Sequence, residues 1–141
     1  MKIHHFLIAF CLLIISISSS FAQTQKSLRM EAMDKDAVFD KLKRFALEND
    51  YFIKTLNREE GYIRWNFFSR GKGVFSRDYN LDINVFLSAE DDNATRIELQ
   101  IQADQIFETI ESIRVKSVGV LNDEKYYNNL LSQIHQYLSR K

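Results

Sequence analysis

The sequence has no proline, four glycines and a single cysteine among its 141 residues, and its 19 positive side chains balance its 19 negative ones. The missing proline and the few glycines exclude collagen-like and low-complexity chains, and the single cysteine excludes a disulfide scaffold. The balanced charge leaves no broad positive field, so we predict no binding to nucleic acid. The hydrophobic content of 45% is typical of one globular domain.

The first 22 residues have the three parts of an export signal. Lys2 provides a positive start, residues 6–17 form an uncharged apolar run, and Ser20 and Ala22 provide the small residues of a cleavage site. The apolar run is shorter than the roughly 20 residues that a membrane-spanning helix needs. We therefore predict a signal peptide over residues 1–22, a periplasmic or secreted protein, and no membrane span after cleavage.

Signal cleavage would also remove most residues with catalytic potential. Cys11, His4 and His5 lie in the signal, and His135 is the remaining histidine. A chain without cysteine has no thiol chemistry, and one histidine cannot build a Cys/His protease or a usual zinc site. We therefore predict a non-enzymatic protein without a catalytic residue, a metal site or a cofactor.

Two segments have the apolar spacing of amphipathic helices. The first ends near Asn49, and the second has an apolar face that extends from Tyr127 to Leu138. Side chains that can cap a helix precede both segments: Asp34 or Asp36 for the first, and Asn122 or Asp123 for the second. Because each helix must bury its apolar stripe, we expect both to pack on one surface.

Between these helices the apolar period falls to two, which is typical of strands with one buried face. Four strands are predicted, over residues 51–56, 62–68, 79–87 and 95–103. We predict an irregular or extended segment over 104–121, because some of its apolar residues suit a helical turn and others suit a strand. We also predict a disordered lead over residues 23–33, which begins with the polar stretch 23–29. The predicted fold of residues 34–141 is a single α+β domain, with an antiparallel four- to five-stranded sheet and an N-terminal and a C-terminal helix packed on one face.

The second predicted strand decides which side of the sheet faces the helices. Its apolar residues Ile63, Trp65 and Phe67 alternate with the polar Arg64 and Asn66. A one-residue slip would reverse every side chain and bury Arg64 without an evident partner. We therefore predict that Trp65, the only tryptophan, is deeply buried against the helices.

The order of these elements resembles that of small exported domains of TBP-like or helix-grip shape. The resemblance covers about residues 34–138, and it includes the strand Tyr-Phe-Ile-Lys at 51–54 and the turn and strand Arg-Glu-Glu-Gly-Tyr-Ile at 58–63. Such domains occur in uncharacterised periplasmic proteins of Bacteroidetes-type bacteria and in lipoproteins of outer-membrane assembly machinery. The resemblance implies an envelope binding or scaffolding module. The chain lacks the lipoprotein cysteine of the assembly proteins.

The polar face of the predicted sheet is the candidate binding surface, because arginines and amides interleave with aromatic rings there. The candidate residues are Tyr62, Arg64, Phe68, Asn84, Phe86 and Arg96. Such a face can recognise an envelope protein, a peptide or a glycan, or it can simply be solvated. The alternative function is a carrier of a small hydrophobic ligand, in a pocket between helices and sheet. That pocket would be lined from Phe45, Trp65, Phe67 and Leu81.

The glycine-containing loop at 69–73 and the acidic turns are further candidates for ion-binding sites. Residues 69–73 contain two glycines and two cations and could cradle an anion. A phosphate loop leads from a strand into a helix, whereas this loop leads toward another strand, which favours an ordinary hairpin tip. The acidic residues at 59–60 and 90–92 lack the spacing of a calcium loop, so we predict solvated turns.

We expect the exported protein to begin at Gln23. The intact mass of protein purified from the envelope should equal that of the chain without residues 1–22. The variant Ala22→Arg places a large side chain where cleavage needs a small one, so it should keep the full mass. A wild-type protein that also keeps the full mass would show that no signal is removed.

Overall fold

A computed structural model describes residues 26–71, 77–91, 93–108 and 111–140. The predicted signal peptide, the first part of the predicted disordered lead, and parts of the glycine loop and the 90–92 turn lie outside these residues. The described elements are, in chain order, β1 (Ser27–Glu31), α1 (Lys35–Glu48), β2 (Phe52–Asn57), β3 (Tyr62–Arg70), β4 (Asp78–Asp91), β5 (Ala94–Glu108), β6 (Ile113–Val120) and α2 (Glu124–Leu138).

The strands of the described residues form one antiparallel sheet in the order β1-β5-β4-β3-β2, with β6 also paired to β5. β4 and β5 pair along almost their whole length. β1 pairs with the first residues of β5 and β6 with its last residues. The α+β prediction is confirmed, and the sheet has six strands rather than the four or five expected.

Two segments differ from their predictions. The disordered lead is wrong for Ser27–Glu31, since these residues form β1 and bury Met30. Its five residues are too few to show a clear period, and its partner β5 lies far along the chain. In the 104–121 segment the extended alternative is correct, because β5 continues to Glu108 and β6 follows. A register shift opposite Ala103 and Asp104 interrupts the period of two in β6.

Both helices begin at predicted caps. The Asp34 carboxylate accepts a hydrogen bond from the Ala37 amide at 2.8 Å, and the Asp123 carboxylate accepts one from the Lys125 amide at 2.9 Å. These contacts satisfy amide donors that the first helical turn leaves without partners. Since α1 and α2 start where the sequence indicates, their apolar faces have the expected register.

Both helices cover the same side of the sheet. Their buried residues form one cluster with the inward residues of β3, β4 and β5. Trp65 is 0% exposed, as predicted, and its ring lies 5.8 Å from that of Phe45 on α1. The Tyr127 hydroxyl connects α2 to the sheet, because it accepts a hydrogen bond from the Ile101 amide of β5 at 3.1 Å. It also donates to the Leu121 carbonyl at 2.8 Å.

Gly61 fixes the turn between β2 and β3 against β4. Its backbone has a φ of 70°, which side chains disfavour. A Cβ at this position would lie 2.5 Å from the Leu87 carbonyl oxygen. The Leu87 amide donates to the Gly61 carbonyl at 2.7 Å. This close approach sets Tyr62, the next residue, opposite Phe86.

The substitution Trp65→Ala should lower the free energy of unfolding by about 3–5 kcal/mol, because it leaves a cavity below α1. Trp65→Phe should cost less, since it also removes a buried indole N–H that has no hydrogen-bond partner in the part of the chain that the structure describes. Urea unfolding followed by circular dichroism measures both variants. Phe52→Ala, at a position that is 69% exposed, is the control and should change the value by under about 0.5 kcal/mol. Equal losses for Trp65→Ala and Phe52→Ala would contradict the register.

Candidate functional site

The side of the sheet away from the helices carries the candidate site, and we call it the open face. Its residues on the three long strands are Tyr62, Arg64, Asn66 and Phe68 of β3, Asn80, Asp82, Asn84 and Phe86 of β4, and Glu98, Gln100 and Gln102 of β5. Cross-strand partners share a face in antiparallel pairs. Arg64 therefore lies beside Asn84, and Asn66 beside Asp82.

Asp82 is the centre of the open face. Its carboxylate accepts hydrogen bonds from Lys54 Nζ at 2.7 Å, Arg64 Nη2 at 2.5 Å and Asn66 Nδ2 at 3.0 Å. Partial burial would raise the pKa of Asp82, but these hydrogen bonds outweigh burial and lower it to about 2. The carboxylate is therefore ionised at neutral pH, and its oxygens are occupied by protein donors.

Arg64 is held by the same contact. Its hydrogen bond to Asp82 raises the pKa of the guanidinium above its ordinary value. The Arg64 Nε is buried and has no hydrogen-bond partner among the described residues. A buried donor without an acceptor costs free energy. The open face therefore contains one fixed cation that still has an unsatisfied N–H.

Amide side chains extend this network toward β5. The Tyr62 hydroxyl donates to Asn84 Oδ1 at 2.7 Å, and Asn84 Nδ2 lies 3.5 Å from Gln100 Oε1. Asn66 Nδ2 also contacts Asn80 Oδ1 at 2.9 Å. Because Asn84 is only 8% exposed, it supports its neighbours more than it offers a contact surface. The side chains of Tyr62, Asn66 and Asn84 are thus held by hydrogen bonds before any partner binds.

Exposed aromatic rings border this polar centre. Phe52 lies opposite Asn66 at the β2 edge, and Phe68 and Phe86 are 42% and 46% exposed. The Phe86 ring packs against Tyr62 at 5.2 Å, and the Arg70 guanidinium lies 5.8 Å from the Phe68 ring. Rings beside fixed hydrogen-bonding groups are the combination found at protein interfaces.

Five of the six predicted site residues lie together on β3 and β4. The sixth, Arg96, lies farther along β5, where its guanidinium contacts Glu90. Glu90 also pairs with Arg29 of β1 at 3.1 Å. Arg96 therefore belongs to a charged group at the β1 edge, separate from the centre of the open face.

The sequence-based list of candidates missed the centre of the network. Asn66 and Asp82 lie on the predicted face but were not among the candidates, and the alternation of β3 and β4 could have identified them. Lys54 gave no such signal. It reaches Asp82 beside a register shift between Ile53 and Thr55, and a bulge of this kind cannot be read from a period of two.

A groove of about 670 Å³ lies on the opposite side of the sheet, beside α2. Its apolar and aromatic lining residues include Tyr51, Phe67, Phe68, Leu81, Ile83, Ile101 and Leu130, and its polar ones are Asn49, Ser69, Arg70, Asn129 and Gln133. Phe67 and Leu81 were predicted for a pocket here. The other two predicted residues, Phe45 and Trp65, do not line this groove. Both contact Tyr51, and the Tyr51 ring stacks on that of Trp65 at 5.5 Å. Burial raises the pKa of Tyr51.

Among the described residues, no three His, Cys, Asp or Glu side chains are placed to hold a metal ion together. None of the helices in these ranges combines the length and apolarity that crossing a membrane requires. His135 is exposed on α2.

No protein-family model matches the sequence, and no curated protein matches it. A solved structure with a similar fold is that of a DUF4468 family protein from Bacteroides ovatus ATCC 8483. The match covers 82% of this chain and 85% of the other, with a TM-score of 0.50 and 9% sequence identity. This likeness shows a common fold with a member of an uncharacterised bacterial family. The resemblance to TBP-like domains stays a prediction.

The low pKa of Asp82 predicts an acid-dependent loss of stability. The folded-state pKa of about 2 lies below the ordinary value of 3.8, so the stabilisation is complete above about pH 5 and is lost as the pH falls toward 2. Urea unfolding at pH 6 and pH 2.5 should show that Asp82→Asn is less stable than wild type at pH 6. That deficit should shrink by about 1–2 kcal/mol at pH 2.5.

The control for this measurement is Leu47→Ala, on the exposed side of α1, because it changes no titratable group. Its difference from wild type should be the same at both pH values. A deficit of Asp82→Asn that stays constant with pH would contradict the proposed charge network.

Proposed function

We propose that this protein is a non-enzymatic binding module of the bacterial envelope, and that it contacts its partner with the open face. The observation that carries the proposal is the fixed polar network around Asp82, bordered by the exposed rings of Phe52, Phe68 and Phe86. Export would depend on the predicted signal peptide over residues 1–22.

Pre-organisation supports a binding role. A flexible polar surface loses side-chain entropy when it binds, at a cost of about 0.5–1.5 kcal/mol per immobilised side chain. On the open face Arg64, Asn66 and Asn84 are already held by hydrogen bonds.

The chemistry of the face favours a partner with many hydrogen-bonding groups. The amides of Asn80, Gln100 and Gln102 provide both donors and acceptors, and the Asp82 carboxylate is paired with two cations, Lys54 and Arg64. Exposed rings add stacking surfaces. An envelope protein, a peptide or a glycan has this character.

The state of Asp82 supports a role without catalysis. A general base works best when its pKa lies near the operating pH and when an oxygen is open to the substrate. Asp82 has a pKa of about 2, and three protein donors already occupy its oxygens. The Asp82 carboxylate is therefore suited to positioning its neighbours.

We expect Phe86→Ala and Arg64→Ala to weaken capture of the partner from envelope extract, since the first removes a ring from the open face and the second breaks the network. Affinity capture with mass spectrometry compares the partner retained by each variant. Leu47→Ala, on the exposed side of α1, is the control and should retain the partner. A partner retained by all three variants would exclude the open face.

A carrier of a small hydrophobic ligand is the second candidate, because the groove beside α2 has the size of known ligand sites, roughly 300–1,000 Å³. Leu130 forms part of its lining, so Leu130→Trp should fill it. Native mass spectrometry should then show a co-purified ligand on the wild type and none on the variant. The same result for both proteins would eliminate the groove as a carrier site.

A further inference from the structure

β6 lies at an edge of the sheet, and within the described residues β5 is the only strand paired with it. Every residue of β6 except Gly119 is exposed. Ile113 and Val115 are 69% and 63% exposed, which is unusual for large aliphatic side chains in a strand. An edge strand presents outward N–H and C=O groups that can pair with another chain.

The two sides of β6 differ in chemistry. Val115 lies opposite Ile106 and therefore on the side of the open face, whereas Arg114 and Lys116 lie opposite Phe107 and Gln105, on the side of the helices. Arg114 and Lys116 line a depression with Glu111, Phe107, Ser112 and Val115, so cations outnumber carboxylates there. By register, β6 therefore carries Ile113 and Val115 on one side and the cations Arg114 and Lys116 on the other.

We propose that β6 accepts an extended peptide strand in which acidic residues alternate with apolar ones. Main-chain hydrogen bonds would extend the sheet by one strand. The acidic side chains would face Arg114 and Lys116, and the apolar ones would face Ile113 and Val115, because cross-strand neighbours share a face. This surface is separate from the polar centre around Asp82, so the proposal does not depend on the open-face function.

The charge pattern argues against a second copy of this chain as the occupant. Pairing β6 with itself would bring two copies of Arg114 and two of Lys116 onto one short pair of strands, where like charges repel. The register shift in β6 opposite Ala103 and Asp104 also opposes long, regular pairing, as do lysines on natural sheet edges. An acidic partner strand would replace the repulsion between like charges with attraction. A short partner strand would need no regular pairing beyond the register shift.

The test uses a labelled six-residue peptide with blocked ends that alternates glutamate with valine. Fluorescence anisotropy with the purified protein measures its affinity, and amide chemical shifts map its position. We expect the largest shift changes on Ile113–Val120. The double variant Arg114→Glu, Lys116→Glu should bind the peptide about tenfold more weakly, and it should prefer a peptide that alternates lysine with valine.

Two controls separate strand pairing from general charge attraction. Lys43→Glu with Arg44→Glu makes the same charge change on the exposed side of α1, and it should leave the affinity unchanged. The peptide with every amide N-methylated keeps its side chains but can donate no main-chain hydrogen bond to β6 from either of its edges, so it should not bind.

Three results would overturn the proposal. The first is equal affinity of wild type for the glutamate and lysine peptides, and the second is undiminished binding of the N-methylated peptide. The third is a wild-type dimer in sedimentation velocity that the double variant abolishes, which would assign the edge to a second copy of the chain.

Discussion

The one-sided burial of β3, β4 and β5 is the constraint on which the rest of the structure depends. Side chains alternate strictly along a strand, so placing Trp65 and Ile83 under the helices forces Arg64 and Asp82 to the opposite side, close to one another. The core therefore positions the polar network without any contribution from loops. A slip of one residue would bury Arg64 and Asp82 and expose Trp65, which would destabilise both faces at once.

This arrangement gives the small domain three separate surfaces. The open face offers fixed polar groups and rings, the groove beside α2 is mostly apolar, and the outer side of β6 is an unpaired edge in the described residues. Each surface has a different physical character. The open face and the groove lie mainly on opposite sides of the sheet and meet at Phe68, and the strand order places β6 at a margin. Each of these surfaces can therefore bind a partner without a rearrangement of the core.

The sequence was sufficient wherever a local pattern controls the structure. The caps at Asp34 and Asp123 and the alternation through Trp65 are local signals, and they predicted both helices and the inward face of the sheet. The pairing of strands that are far apart in the sequence could not be predicted from local patterns. β1 is short and pairs with a remote strand, and β6 is interrupted by a register shift. The same limit applies to the site, because Lys54 joins Asp82 only through a bulge.

If the open face binds a partner, it is exposed in the free protein and covered in the complex. Removal of the predicted signal removes Cys11, the only cysteine, so single cysteines at Phe86 and Leu47 can be labelled selectively with a maleimide. Both positions are exposed, so both variants should react rapidly when the protein is free. Addition of envelope extract should slow the reaction of Phe86→Cys and leave that of Leu47→Cys unchanged. Equal rates for both variants in the extract, or an unreactive Phe86→Cys in the free protein, would contradict the account.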